Sequence, residues 1–144
     1  MSYNDSLHKT ELAFTSALST VASAQGLAQR SGLDVGNKDK KSLTVTAESA
    51  NPIEETSNNA NRQVMVAVVV KTNMDETTAA QHRLLCQEVF DVLFDTEIEA
   101  TLSAALADFT CFHVEQMGEQ QTSVDRSHET QSRFLCHVAP SDIS

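Results

Sequence analysis

From Gln63 to Val70 the chain carries a single polar side chain, within the stretch RQVMVAVVVK that runs from Arg62 to Lys71. A strand that faces water on one side alternates apolar and polar residues, whereas one covered on both sides reads as a continuous β-branched run. Val64, Val66, Val68 and Val70 form one face, and Met65, Ala67 and Val69 form the other. Both faces therefore need cover. The chain's own helices can supply one, but 144 residues with only two more long apolar segments leave the other short of material. That shortage predicts a partner.

Around this strand the other elements fall into order. Leu7, Phe14, Leu18, Val21 and Ala28 recur at helical spacing, which predicts a helix over 5–31 started by Asp5 or Ser6 and stopped at Gly32 or Gly36. Its stripe is thin and rich in Ala, so the helix is expected to dock late, separately, or against a neighbouring chain. Leu43, Val45 and Ala47 alternate with Thr44, Thr46 and Glu48 as a half-exposed strand, and 51–61 reads as a long polar loop. After the valine strand, Asp75, Thr77 or Thr78 is placed to cap a second helix, with Gln81 in capping-box position to Thr78. Leu84, Leu85, Val89, Val92 and Leu93 give that helix the widest apolar stripe in the chain. Thr96 and Glu99 suggest a further capping box, opening a short helix with Ile98, Leu102 and Leu106.

Two more strands follow. In the first, Phe112 and Val114 share one face while Cys111, His113 and Glu115 share the other. In the second, over 132–139, Phe134, Cys136 and Val138 oppose Arg133, Leu135 and His137, and Pro140 ends it. The segment 117–129 between them reads as a polar connection, with a mobile hairpin tip from Gly118 to His128. The expected fold is a single α+β domain over 1–144: a four-stranded, mainly antiparallel sheet with helices on one face, in the order α-β-β-α-α-β-β.

Composition narrows the function. Twenty acidic residues against ten basic ones give a formal charge of −10, a balance that disfavours nucleic-acid binding, which relies on Lys and Arg displacing counterions. Three cysteines without a CxxC pair do not form a disulfide framework and read as reduced thiols of a cytosolic setting. The stretch MSYNDSLHKT has no apolar signal core, and no window approaches the ~18 apolar residues of a membrane span. Synthesis and assembly in the cytoplasm are expected.

The candidates for chemistry are few. Cys111, His113, Cys136 and His137 offer metal-ligand types on neighbouring strands, but adjacent Cys136 and His137 point to opposite faces and the spacing matches no zinc signature. His82 and Cys86, four apart on a helix, share a face without a motif for an oxyanion hole or an orienting partner. Acidic clusters at Glu54–Glu55, Asp75–Glu76 and Asp91 to Glu99 lack the aromatic platforms of a sugar site, Trp being absent, and read as solvated faces and caps. With no GxGxxG, GxxxxGK, HExxH or GxSxG, the reading is of a protein that is not an enzyme and has no catalytic residue, cofactor or metal.

The succession of a strand into AESANPIEETSNNANRQ, the strand VMVAVVVKT, the helix HRLLCQEVFDVL, a short Ile/Leu helix, and the closing pair FTCFHVEQMGEQQTSVDR and ETQSRFLCHVAPSDIS spans Thr44 to Ser144. In that arrangement the segment resembles the tail-terminator, tail-completion and head-to-tail joining proteins of long-tailed bacteriophages. The resemblance implies a structural virion protein, assembled in the host cytoplasm, that forms a homomeric ring, commonly a hexamer, at the end of the tail tube and joins it to the neck. Partners would be tail-tube and neck or connector proteins, with DNA only as passing cargo. A sheet face bearing Met65, Ala67, Val69, Cys111 and Leu135 is then expected to meet the neighbouring subunit. Two loops, bearing Glu54, Glu55 and Asn58 and bearing Gln120, Asp125 and Arg126, would reach the other partners. The alternatives are a head-side neck or connector protein, and a small cytosolic α+β binding or enzymatic domain.

Overall fold

The computed structural model describes residues 5–31, 41–52, 61–106, 109–124 and 126–140. Eight elements follow in chain order: α1 (Ser6–Ala24), β1 (Ala28–Ser31), β2 (Lys41–Pro52), β3 (Arg62–Asn73), α2 (Ala79–Leu93), α3 (Ile98–Leu106), β4 (Phe109–Val124) and β5 (Ser127–Pro140). The sheet has five strands in the order β1-β2-β3-β5-β4, parallel between β1 and β2 and antiparallel elsewhere. The α+β class agrees with the sequence reading, and the strand count corrects it by one.

The extra strand comes from the segment read as the end of the first helix. That helix stops seven residues early, at Ala24, and Gly26 follows with a φ of +70°, open to glycine at low cost. The Gly26 N–H reaches the Ser23 carbonyl at 3.3 Å and the Leu27 N–H reaches Ala22 at 2.8 Å, the paired closure of a glycine-ended helix. Leu27 then enters the core beside Ala22, and the chain turns into β1.

The valine strand holds the centre as expected. Val64, Val66, Val68 and Val70 are fully buried, with Leu43, Val45 and Ala47 of β2 opposite the last three and Cys136, Phe134, Ser132 and Thr130 of β5 opposite the four in turn. Phe14, Leu18 and Ala22 of α1, Leu85, Val89 and Leu93 of α2, and Ile98, Leu102 and Leu106 of α3 cover this inner face. Thus α1 is built into the common core, with Phe14 wholly buried. Phe134 is the hub, its ring centroid 6.4 Å from Phe14, 6.4 Å from Phe90 and 6.0 Å from Phe94.

Caps fix where α2 begins. Thr78 accepts from the Gln81 N–H at 3.2 Å, and the Gln81 side chain accepts from the Thr78 N–H at 2.9 Å. At α3 the accepting side chain is that of Asp95, which takes the Glu97 N–H at 2.9 Å.

The segment read as a polar connection is strand. β4 runs to Val124 and β5 resumes at Ser127, so the two pair almost to the tip. Arg126, at φ 64°, sits in the left-handed turn conformation. The tip is anchored rather than free: the Arg126 carbonyl accepts the Met74 N–H at 2.9 Å, and its guanidinium bonds Asp75 at 2.6 Å.

Candidate assembly surface

Because successive strand residues alternate sides, burying the even-numbered valines of β3 turns Met65, Ala67 and Val69 to the opposite, outer face. Leu135 lies directly across from Met65, Arg133 from Ala67 and Gln131 from Val69. The core built by the three helices contains none of Met65, Ala67, Val69 or Leu135. Met65, Val69 and Leu135 are half-buried, and only Ala67, the smallest, is closed off at 4% exposure.

Two irregularities in β4 add to this face. The ladder shifts register between Cys111 and His113, and again between Gln116 and Gly118. Each shift inserts one residue, which inverts the inside–outside alternation beyond it. Phe112 and Met117 stand at these shifts, 50% and 53% exposed. Phe112 lies edge-on to His137 at 5.7 Å, and His113 is 5.0 Å from the same ring. Met117, Gly118, Gln120, Gln131 and Arg133 help line a shallow groove of about 320 Å³.

The first shift also corrects the placement of Cys111. It does not belong to the face of Met65, Ala67, Val69 and Leu135, because its register partner is the fully buried Val138, and Cys111 itself is 3% exposed in the core. A strict alternation carried back from Glu115 gave the wrong side. Of the loop residues singled out, Gln120 lies on exposed β4 and Arg126 in the hairpin turn, while Glu54, Glu55, Asn58 and Asp125 fall outside the described residues.

Charge divides between the two sides of the sheet. On the outer face Glu48 pairs with Arg133, Lys71 stands opposite Glu129, and Glu115, opposite Leu135, has His113 at 3.6 Å. On the helical side, the segment 74–99 holds Asp75, Glu76, Glu88, Asp91, Asp95, Glu97 and Glu99 against one arginine, Arg83.

The other constellations resolve into packing. His82 is fully buried, held by Thr72 at 2.8 Å through Nδ1 and Thr130 at 2.8 Å through Nε2. Burial, helped by His128 and Arg83, lowers its pKa to about 4. Burial likewise pushes the Cys86 thiol up, so at neutral pH both partners are uncharged and Cys86 lacks thiolate character. The mixed Cys/His set splits: Cys111 and Cys136 point into the core, whereas His113 and His137 are register partners on the outer face. Among the described residues no group of three or more His, Cys, Asp or Glu side chains is placed to hold a metal ion. No described helix is long and apolar enough to cross a membrane.

No protein-family profile and no curated protein matches the sequence. Among solved structures, the chain is similar to one in the virion of a native gene transfer agent (GTA) particle, with a TM-score of 0.60 and 11% identity, over 94% of this chain and 98% of that one. At that identity the likeness shows a shared fold, extending over nearly the whole of both chains.

Proposed function

We propose that the protein is a structural component of a phage-like virion, without a catalytic step of its own, that assembles into a homomeric ring at the end of a tail tube and joins the tail to the neck. The observation that carries this reading is the outer sheet face: Met65, Val69, Leu135, Phe112 and Met117 form an apolar field that the helices leave uncovered. Burying such side chains against a second subunit contributes roughly 25 cal/mol for each Å² removed from water. Near that field Glu48 is paired with Arg133 and Glu129 faces Lys71, so subunits that each carry −10 overall meet less like-charge repulsion there than on the acidic helical side. The acidic helical side is suited to a passage through which DNA moves without adhering. The fold shared with a gene transfer agent virion chain supports the same reading. So does the resemblance of Thr44 to Ser144 to tail-terminator and tail-completion proteins.

Subunits meet through Met65, Val69 and Leu135 with Phe112 and Met117, Ala67 lying beneath the Glu48–Arg133 pair, while the exposed side of β4 around Gln120 is left to tail or neck proteins. Native mass spectrometry and negative-stain imaging of the purified protein, alone and with tail tubes, test this. The wild type forms a closed ring, six subunits being expected, or a cap on the tube end. Val69→Glu stays monomeric with an unchanged circular dichroism spectrum. A Val69→Glu protein that still assembles removes the face from the interface, and a wild type that stays monomeric with tubes present removes the ring.

A further inference from the structure

Three cysteines occur in the chain, and all are free and buried. Cys86 is held on α2 beside His82 at 3.4 Å. The other two meet across strands: the Sγ atoms of Cys111 and Cys136 are 3.1 Å apart. Their encounter is a product of the register shift at Phe112. Cys111 pairs with Val138, and Cys136 with Val114, so the two cysteines are diagonal neighbours on the inner face of the outermost strand pair. Closing the sulfurs to a bond length near 2.05 Å takes a movement of about 1 Å.

We propose that Cys111 and Cys136 are a modification site, a dithiol that oxidises to a cross-strand disulfide when the protein passes from reducing to oxidising surroundings. Cytosolic thiols are kept reduced, whereas virion surfaces are oxidising, so under the virion reading the bond forms after the particle leaves the cell. Only this timing rests on that reading; the chemistry belongs to the isolated chain. The closed link ties β4 to β5 at the base of the hairpin, beside the exposed Phe112, and fixes the strand that supplies part of the outer face.

The two thiols are unequal. The two thiols share one hydrogen bond, which holds the Cys111 thiol below its ordinary pKa, while that bond and burial push the Cys136 thiol far above. Cys111 is therefore the nucleophile toward a peroxide. The Cys111 thiol gives up its proton, its sulfur attacks one peroxide oxygen, an S–O bond forms, the O–O bond breaks, and the departing hydroxide takes that proton as water, leaving a sulfenic acid. The Cys136 sulfur then attacks the Cys111 sulfur, the S–S bond forms, the S–O bond breaks, and the displaced hydroxide takes the Cys136 proton. In sum, two thiols and one hydrogen peroxide give one disulfide and two waters.

The test uses the purified full chain, treated with hydrogen peroxide and then alkylated in denaturant with N-ethylmaleimide. The expected product has lost about 2 Da, carries a maleimide on Cys86 alone, yields a linked peptide containing Cys111 and Cys136, and reverts with dithiothreitol. Cys86→Ala retains the link, which keeps the result independent of any variant that perturbs the pair itself. Alkylation of all the cysteines after oxidation, a link through Cys86, or Cys111 carried to the sulfinic acid without a link overturns the proposal. The mass is read on the denatured single chain, so a failed ring test leaves this result standing, and the reverse holds too.

Discussion

Arg133 clasps Glu48 across the width of β3, donating from Nε to one carboxylate oxygen at 2.8 Å and from Nη2 to the other at 3.3 Å. Glu48 reaches that far because β2 shifts register between Ala47 and Ser49, leaving it as the extra residue. The same irregularity leaves the Ala47 N–H to the Glu11 carboxylate of α1, at 2.9 Å. Ala67 lies between the two arms, opposite Arg133, and is closed off without help from any helix.

That arrangement leaves no room for a longer side chain at position 67. Ala67→Leu should part Glu48 from Arg133 or strain the strand, lowering stability by about 1–3 kcal/mol in urea unfolding. Ala67→Gly, which leaves the pair in place, should keep the Glu48–Arg133 contact by NMR.

Phe134 is in contact range of three other aromatic rings and is 1% exposed. Truncating it leaves a cavity shared by α1, α2 and the sheet, so Phe134→Ala should cost roughly 3–5 kcal/mol. Phe94, at the margin of the same cluster and 56% exposed, should cost under about 1 kcal/mol when truncated. Denaturant midpoints of the two variants, compared with an unchanged m-value, check the contrast.

Buried His82 predicts sensitivity to mild acid. Its native pKa, about 4, lies below the ordinary 6.5, so the unfolded chain takes up the proton more readily than the folded one. Stability is complete above pH 6.5 and is lost as pH falls toward 4. Urea midpoints measured from pH 7.5 to pH 5, a range above most carboxylate titration, should decline in the wild type and flatten in His82→Gln.

Two glycines should respond in opposite ways to the same change. Gly26→Ala places a Cβ on a backbone at φ +70° and should cost about 1 kcal/mol. Gly118→Ala meets no atom within 4 Å and no left-handed backbone, so thermal unfolding should find it neutral or slightly stabilising.

The two outcomes of sequence reading differ for physical reasons. β3, α2, α3 and β5 were legible because each buries a periodic apolar stripe, and Thr78 with Gln81 marked an end of one. β1 was not, since Ala28–Ser31 is short and pairs in parallel with a strand it cannot announce by alternation. The outer half of β4 was also hidden: Glu115 to Ser123 are all exposed, so the strand there owes its existence to the β5 ladder and carries no apolar period. The outer sheet face was readable in Met65, Ala67, Val69 and Leu135 from parity alone. Cys111 was misassigned because parity fails at a register shift, and the exposure of Phe112 and Met117 has the same hidden cause.

The position of β5 between β3 and β4 has a consequence for how the molecule is made. On the ribosome, β3 emerges early and pairs with β2, yet its other edge must wait for residues 127–140, and β4 has no strand partner among the described residues until they arrive. A chain that has emerged only as far as Ser127 therefore displays a greasy strand edge and an orphan strand together, the state in which chaperones and misassembly compete for it. Prompt emergence of residues 127–140, rather than the strength of any one contact, is what shortens that exposure.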